Sequence, residues 1–135
     1  MPNPLYSDPH GKVSQSPFSK PVVLLVEDDR IYLELRRKVL EKDGYRVIGV
    51  TNRGDALDTF REAPICCTIA DHMLQGSTGV DLAAEMKRIK PDVPIILFSG
   101  SMPENLRNID VYVNKGEPTA EFLKIVRNVV QRYRS

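Results

Sequence analysis

The chain is 135 residues long, 41% hydrophobic and 27% charged, with a formal net charge of +1 at pH 7, which suits one domain with a real core and excludes two ordinary ones. That balance leaves no basic excess to hold a nucleic-acid backbone, so no direct nucleic-acid partner is expected. No apolar run approaches the roughly eighteen residues of a membrane helix, and the N-terminus lacks the charged-then-apolar order of a signal peptide, so a cytoplasmic chain with no membrane partner is the expectation.

In chain order, residues 1–20 carry prolines among Ser, Asn, Asp and Gly, with little apolar matter to bury, and are expected to be a flexible tail. Residues 21–135 are the expected folded domain. The run Val-Val-Leu-Leu-Val at 22–26 reads as a strand apolar on both faces, as in a covered parallel sheet. Glu27, Asp28 and Asp29 follow it, and then a helix from Arg30 in which Tyr32, Leu35, Val39 and Leu40 recur at spacings of three and four before Gly44. Asp29 suits the helix start, where a carboxylate complements the dipole.

Strand-length apolar runs recur at 47–50, 65–70, 95–98 and 111–113, with helical stretches predicted at 55–61 and 79–89, the second stopped by Lys90-Pro91. The adjacent Cys66 and Cys67 cannot supply spaced metal or disulfide pairs and read as two buried side chains in a reducing compartment. Phe122, Ile125, Val126, Val129, Val130 and Tyr133 make the stripe of a last helix, with Pro118 in its first turn. Such alternation predicts an α/β domain with a parallel sheet.

In open α/β sheets, ligands gather outside the carboxyl ends of the strands. Glu27 and Asp28 stand there after the first strand and Asp71 after the third. An acidic pair after a strand is, by itself, equally a solvated turn. Acids crowded at one edge repel unless a cation sits among them, and a small set of oxygen ligands favours Mg²⁺ over Ca²⁺. The fourth strand ends at Ser99 and the fifth at Lys115, bringing a hydroxyl and an ammonium to the same edge. A hydroxyl, an ammonium and a metal around one carboxylate are the parts that hold a transferred phosphoryl group.

With "LLVEDD", "IADHMLQGSTGVDL", "PIILFSG" and "YVNKGEP" in order, the chain resembles the receiver domain of two-component response regulators over nearly all of residues 21–133. The resemblance implies a flavodoxin-like, doubly wound five-stranded parallel sheet in order 2-1-3-4-5. It implies Mg²⁺ bound by Glu27, Asp28, Asp71 and the backbone carbonyl of Met73, with Asp71 as phosphoacceptor and Ser99 and Lys115 as its contacts. Acids of roughly −3 are then met by about +3 from Mg²⁺ and Lys115. Tyr112, three positions before Lys115, is the implied aromatic switch partner of Ser99. Implied partners are a histidine kinase or phosphotransfer protein and a downstream protein of unknown identity. The chain ends at Ser135 without an output domain, so a stand-alone, chemotaxis-regulator-like switch is expected rather than a turnover enzyme.

The family pattern is broken at three places. Gln75 stands where proline is usual, and Gly116 where proline usually follows the lysine. Only sixteen positions separate Ser99 from Lys115, too few for a full fourth helix, so a shortened fourth helix is expected. "SMPENLRNI" must make the crossover as one helical turn or a near-extended loop, with Met102, Leu106 and Ile109 available to cap the sheet. The altered edge near Asn105 and Asn108 is a candidate surface for a partner or for a homodimer. A haloacid-dehalogenase-like phosphatase needs an acid two positions after its nucleophile, where Met73 stands; His72 reads as a turn residue. A non-phosphorylated receiver-like scaffold is kept open by the short crossover.

Overall fold

Five residues whose side chains are all apolar can only be satisfied by cover on both sides, and the chain supplies it. In the computed structural model, which describes residues 19–135 and the strand segments Leu5–Ser7 and Val13–Gln15, strand β1 (Val22–Val26) is buried throughout. Helix α1 (Arg30–Lys42), β2 (Arg46–Val50), α2 (Arg53–Glu62), β3 (Cys67–Asp71), α3 (Gly79–Ile89), β4 (Ile95–Ser99), β5 (Val111–Asn114) and α4 (Thr119–Arg134) follow in order. The two N-terminal segments pair antiparallel with each other; the rest of residues 1–18, and with it most of the expected tail, lies outside the described residues.

The strands form one parallel sheet in the order β2-β1-β3-β4-β5, the order the family resemblance implies. Successive side chains alternate between faces. Val23, Leu25, Ile69, Ile96 and Val113 meet α1 and α4 through Leu33, Leu40, Phe122, Val126 and Val130. Leu24, Val26, Ala70 and Ile95 meet α2 and α3 through Phe60, Leu82, Ala83 and Met86. Each such fully buried aliphatic contributes about 1.5–3 kcal/mol relative to exposure. Cys66 and Cys67 are buried in the α1–α4 layer, neither in a disulfide. No helix among the described residues is long and apolar enough to cross a membrane.

The helices begin where short polar side chains accept from their first turns. Asp29 Oδ1 accepts from Ile31 N at 2.9 Å and Tyr32 N at 3.3 Å, as its position after the acids predicts; Asn52 and Thr78 do the same for α2 and α3. The inward stripe of α1 differs from the predicted one. Leu33 and Leu40 are the buried residues, whereas Tyr32 and Leu35 are 52% and 55% exposed. Packing of Leu33 and Leu40 in the core fixes the helix rotation, and an apolar outer face at Ile31, Tyr32 and Leu35 obscured the true stripe.

Between β4 and β5 the shortening is complete: residues 100–110 contain no helix and cross as an irregular loop, the near-extended alternative. Asn108 adopts a φ of +68°, a left-handed conformation that asparagine tolerates. Of the three candidate caps, Ile109 packs on the α2–α3 core, Leu106 is half-buried, and Met102 is exposed. The loop is tied down by Asp110. Its N–H donates to Ile95 O at 2.9 Å, and its Oδ2 accepts from Ile95 N and from Lys87 Nζ, each at 2.7 Å. Lys87 also donates to Pro91 O and Val93 O. One carboxylate thus joins α3, β4 and β5 where a helix would otherwise have done so. Asp110→Ala leaves the Ile95 amide and the Lys87 ammonium without this acceptor, and a loss of about 1–3 kcal/mol is expected. Urea denaturation measures it; an unchanged midpoint would show that the crossover is anchored elsewhere.

Candidate functional site

The carboxyl edge of the sheet gathers its charged residues because the strands carry them there. Glu27 extends the ladder, its N–H donating to Val50 O at 3.1 Å, and this pulls its side chain into the fold with only 2% exposure. Asp28, the next residue, is exposed. Asp71 closes β3 and is 8% exposed. Its backbone is backed by Gly79, where a Cβ would lie 2.5 Å from Asp71 O and from a Leu97 methyl; only glycine lets α3 begin so close to the strand end. One carboxylate oxygen each from Glu27, Asp28 and Asp71 lies within 4.8 Å of the others.

Lys115 reaches this cluster from β5. Its N–H donates to Ser99 O at 2.9 Å, which seats the end of β5 beside β4, and its Nζ donates to Asp71 Oδ2 at 2.9 Å. Asp71 Oδ1 accepts from His72 N at 3.1 Å, so His72 serves the site through its backbone, at the turn. Ser99 is buried at the same edge, with its hydroxyl donating to Ser101 O at 2.9 Å. Tyr112 donates through its hydroxyl to Ser99 O at 3.3 Å. Met73 opens a small antiparallel ribbon, Met73–Leu74 with Ser77–Thr78, turned by Gln75 and Gly76. Met73, Leu74 and Gln75 line a cleft of about 480 Å³ with Asp28 and Asp29.

The glycine after Lys115 has a partner that proline would have lost. Gly116 N–H donates to Asn114 Oδ1 at 2.7 Å, and a Cβ on Gly116 would approach that oxygen to 3.1 Å. The amide of Asn114 donates in turn to Gly100 O and to the Tyr112 hydroxyl, each at 3.3 Å. Asn114 therefore ties the lysine turn, the start of the crossover and Tyr112 together.

Sequence reasoning missed Arg36. Its Nη1 donates to Glu27 Oε1 at 2.8 Å, with the arginine side chain 16% exposed. The signal was its place three after Leu33 and four before Leu40, a charge in an inward stripe. Burial, then the adjoining Asp71 carboxylate, raises the Glu27 pKa from 4.5 to about 7, while Arg36 pulls it down. Glu27 Oε2 is buried without a hydrogen-bond partner among the described residues. An all-oxygen donor set with one orphaned buried oxygen fits a hard divalent cation such as Mg²⁺.

A doubly wound parallel sheet with its acids at the switch point between β1 and β3 defines a flavodoxin-like α/β domain with a candidate cation site. The chain belongs to the response regulator receiver domain family, whose model matches residues 23–118. It is 30% identical over 116 residues to YbdJ, an uncharacterized transcriptional regulatory protein of Bacillus subtilis, covering 82% of this chain and 51% of that protein. It is 32% identical over 78 residues to the response regulator receiver protein CpdR of Brucella abortus, covering 58% of this chain and 65% of that one. The chain thus spans between half and two thirds of the length of these curated relatives. Among solved structures, TrrA of Thermotoga maritima, determined in complex with Mg²⁺-BeF, superposes with a TM-score of 0.74 at 26% identity, covering 81% of this chain and 98% of that one. The non-phosphorylated HemR receiver domain of Leptospira biflexa gives 0.74 at 28% identity, covering 82% and 94%. A CheY-like receiver from Methanospirillum hungatei gives 0.78 at 21%, covering 85% and 97%, and speaks for the fold.

Two outcomes are expected. Between pH 4.5 and about 7 the unfolded chain has released the Glu27 proton while the metal-free fold retains it, so stability from this group falls as pH rises. In chelator, the urea midpoint of the wild type relative to Glu27→Gln should decline across that window; a flat difference contradicts the raised pKa. Asn114→Ala should cost about 1 kcal/mol and broaden the Tyr112 ring resonances in NMR spectra, with sharp, unshifted resonances counting against the tie.

Proposed function

We propose that this receiver is phosphoaccepting: Asp71 takes a phosphoryl group from a phosphohistidine on a histidine kinase or phosphotransfer protein, and the modified domain signals through contact with a downstream protein. The observation that carries the reading is the Asp71 carboxylate itself, buried, contacted by Lys115 and close to the carboxylates of Glu27 and Asp28. In the transfer, the histidine N–P bond breaks with its electron pair left on nitrogen, and an Asp71 O–P bond forms. Glu27, Asp28, Asp71 and the Met73 backbone carbonyl would hold Mg²⁺, which would supply positive charge for the phosphoryl oxygens.

The protein's own groups do the rest. Lys115 fixes one Asp71 oxygen beforehand, so the carboxylate need not be ordered during attack. It remains as the cation beside the product, whose charge rises from one to about two. The Ser99 hydroxyl leaves Ser101 O to donate to a phosphoryl oxygen. That movement displaces the carbonyl end of β4 to which Tyr112 is bonded, and Tyr112 is the switch residue in this reading. The chain acts as a cytoplasmic switch rather than a turnover enzyme, with residues 21–135 as the receiver. A second copy is a candidate partner at the short crossover. The scaffold reading draws support from the Ser99 hydroxyl already having an internal partner in Ser101 O.

Intact mass after incubation with acetyl phosphate tests both readings. One added phosphoryl group that requires Mg²⁺ and is absent in Asp71→Asn is expected, with Lys115→Ala reducing the yield. A wild type that acquires nothing under any Mg²⁺ concentration rejects the phosphoaccepting reading in favour of the scaffold.

A further inference from the structure

Arg36 is a charged group for which the phosphorelay reading has no use. It occupies the inward stripe of α1 between Leu33 and Leu40, where apolar packing alone would call for an aliphatic residue. Its guanidinium carbon lies 4.8 Å from the Phe98 ring centroid and 5.4 Å from that of Tyr32, and Phe98 is itself packed on Phe122 with centroids 4.9 Å apart. A guanidinium held against two aromatic faces is fixed in place as a lysine would not be. Its Nη1 grips Glu27 Oε1 at 2.8 Å. The other oxygen of the same carboxylate, Oε2, is buried and unpartnered among the described residues, and Glu27 shares a potential ligand cluster with Asp28 and Asp71.

We propose that Arg36 is a built-in counter-cation: it positions Glu27 through Oε1, leaves Oε2 for the metal, keeps the metal-free site folded, and holds Mg²⁺ affinity below that of the unrestrained acids. The inference rests on reading the acid cluster as a Mg²⁺ site. Two effects oppose each other here. A buried carboxylate beside Asp71 and without Arg36 would be uncompensated, which disfavours the metal-free fold. A fixed positive charge on a ligand carboxylate also repels an arriving divalent ion. Arg36 therefore narrows the energy gap between empty and loaded states from both sides. It is a positioning residue, since it touches Glu27 and not Asp71.

The test compares wild type with Arg36→Gln, which retains a donor for Glu27 without the charge, with Arg36→Met, and with Arg36→Lys. Mg²⁺ affinity is read by isothermal titration calorimetry, and thermal midpoints by circular dichroism in chelator and in saturating Mg²⁺. Loss of one unit charge beside a divalent ion predicts roughly tenfold or greater tightening in Arg36→Gln. The midpoint should fall in chelator and recover towards wild type in Mg²⁺, while Arg36→Lys stays near wild-type affinity. A variant that folds only when Mg²⁺ is added also supports the proposal. Unchanged affinity overturns it, as does an equal fall in midpoint with and without Mg²⁺, which would mark Arg36 as packing alone. Failure of both neutral variants to fold even in saturating Mg²⁺ overturns it too. If folded wild type and variants all ignore Mg²⁺, the metal reading has failed and this proposal falls with it. Measurable but equal binding sinks the Arg36 proposal alone.

Discussion

Carboxylate oxygens within 4.8 Å of one another repel by about 3 kcal/mol per ionised pair at an effective dielectric constant near 20, and the surroundings of this sheet edge are organised by that repulsion. The sheet cannot avoid it. Glu27 is drawn inward by its ladder bond to Val50, and Asp71 by the close approach of Gly79. The molecule meets the repulsion from opposite sides: Lys115 arrives from β5 onto Asp71, and Arg36 from α1 onto Glu27. Asp28 stays in water. Burial first, and after it the neighbouring Asp71 carboxylate, raise the Glu27 pKa to about 7, while Arg36 pulls it down.

The same edge depends on a crossover that has lost its helix. A parallel connection normally closes over the sheet face with a helix that buries its own backbone. Here the closing work falls to side chains. Asp110 binds the first residue of β4 and the lysine of α3, and Asn114 binds Gly100, Tyr112 and Gly116. Exchanging proline for glycine after Lys115 gives up conformational restriction but supplies the N–H that Asn114 accepts. Lys115 is thus aimed by a hydrogen-bonded turn and by its own amide on Ser99, and its ammonium still reaches Asp71.

Much of this was legible in residue order. Strand β1 and helix α3 have the predicted limits because their ends are chemically marked, by acids after Val26 and by Thr78 and Lys90-Pro91 around α3. The acids, Ser99 and Lys115 were legible because each stands at the end of a strand-length, largely apolar run, at the carboxyl edge of the predicted parallel sheet. Other features were not legible, for physical reasons. The rotation of α1 is set by Leu33 and Leu40 packing on strands distant in sequence, and its outer face is apolar enough that Tyr32 and Leu35 mimic a core stripe. Arg36 was hidden by the same error, since a charge reads as solvent-facing once the stripe is displaced by one residue. The Asp110 and Asn114 anchors arise from pairings across strands, which no local pattern contains.

The two faces of β4 carry different neighbours of the site. Residues 98 and 99 are neighbours on β4, so their side chains leave opposite faces. Phe98 turns to the α1–α4 side, where it carries Arg36 and packs on Phe122. Ser99 turns to the short-crossover side, where its neighbours are Ser101 and, through its carbonyl, Tyr112. A change in charge at Glu27 is therefore felt first by an arginine packed among aromatic rings of one layer. A change at Asp71 is felt first by Lys115 and by the hydrogen bonds at the ends of β4 and β5. Because Glu27 and Asp71 each have their own cation, a charge change at either one is felt first by different neighbours, although their oxygens share one site.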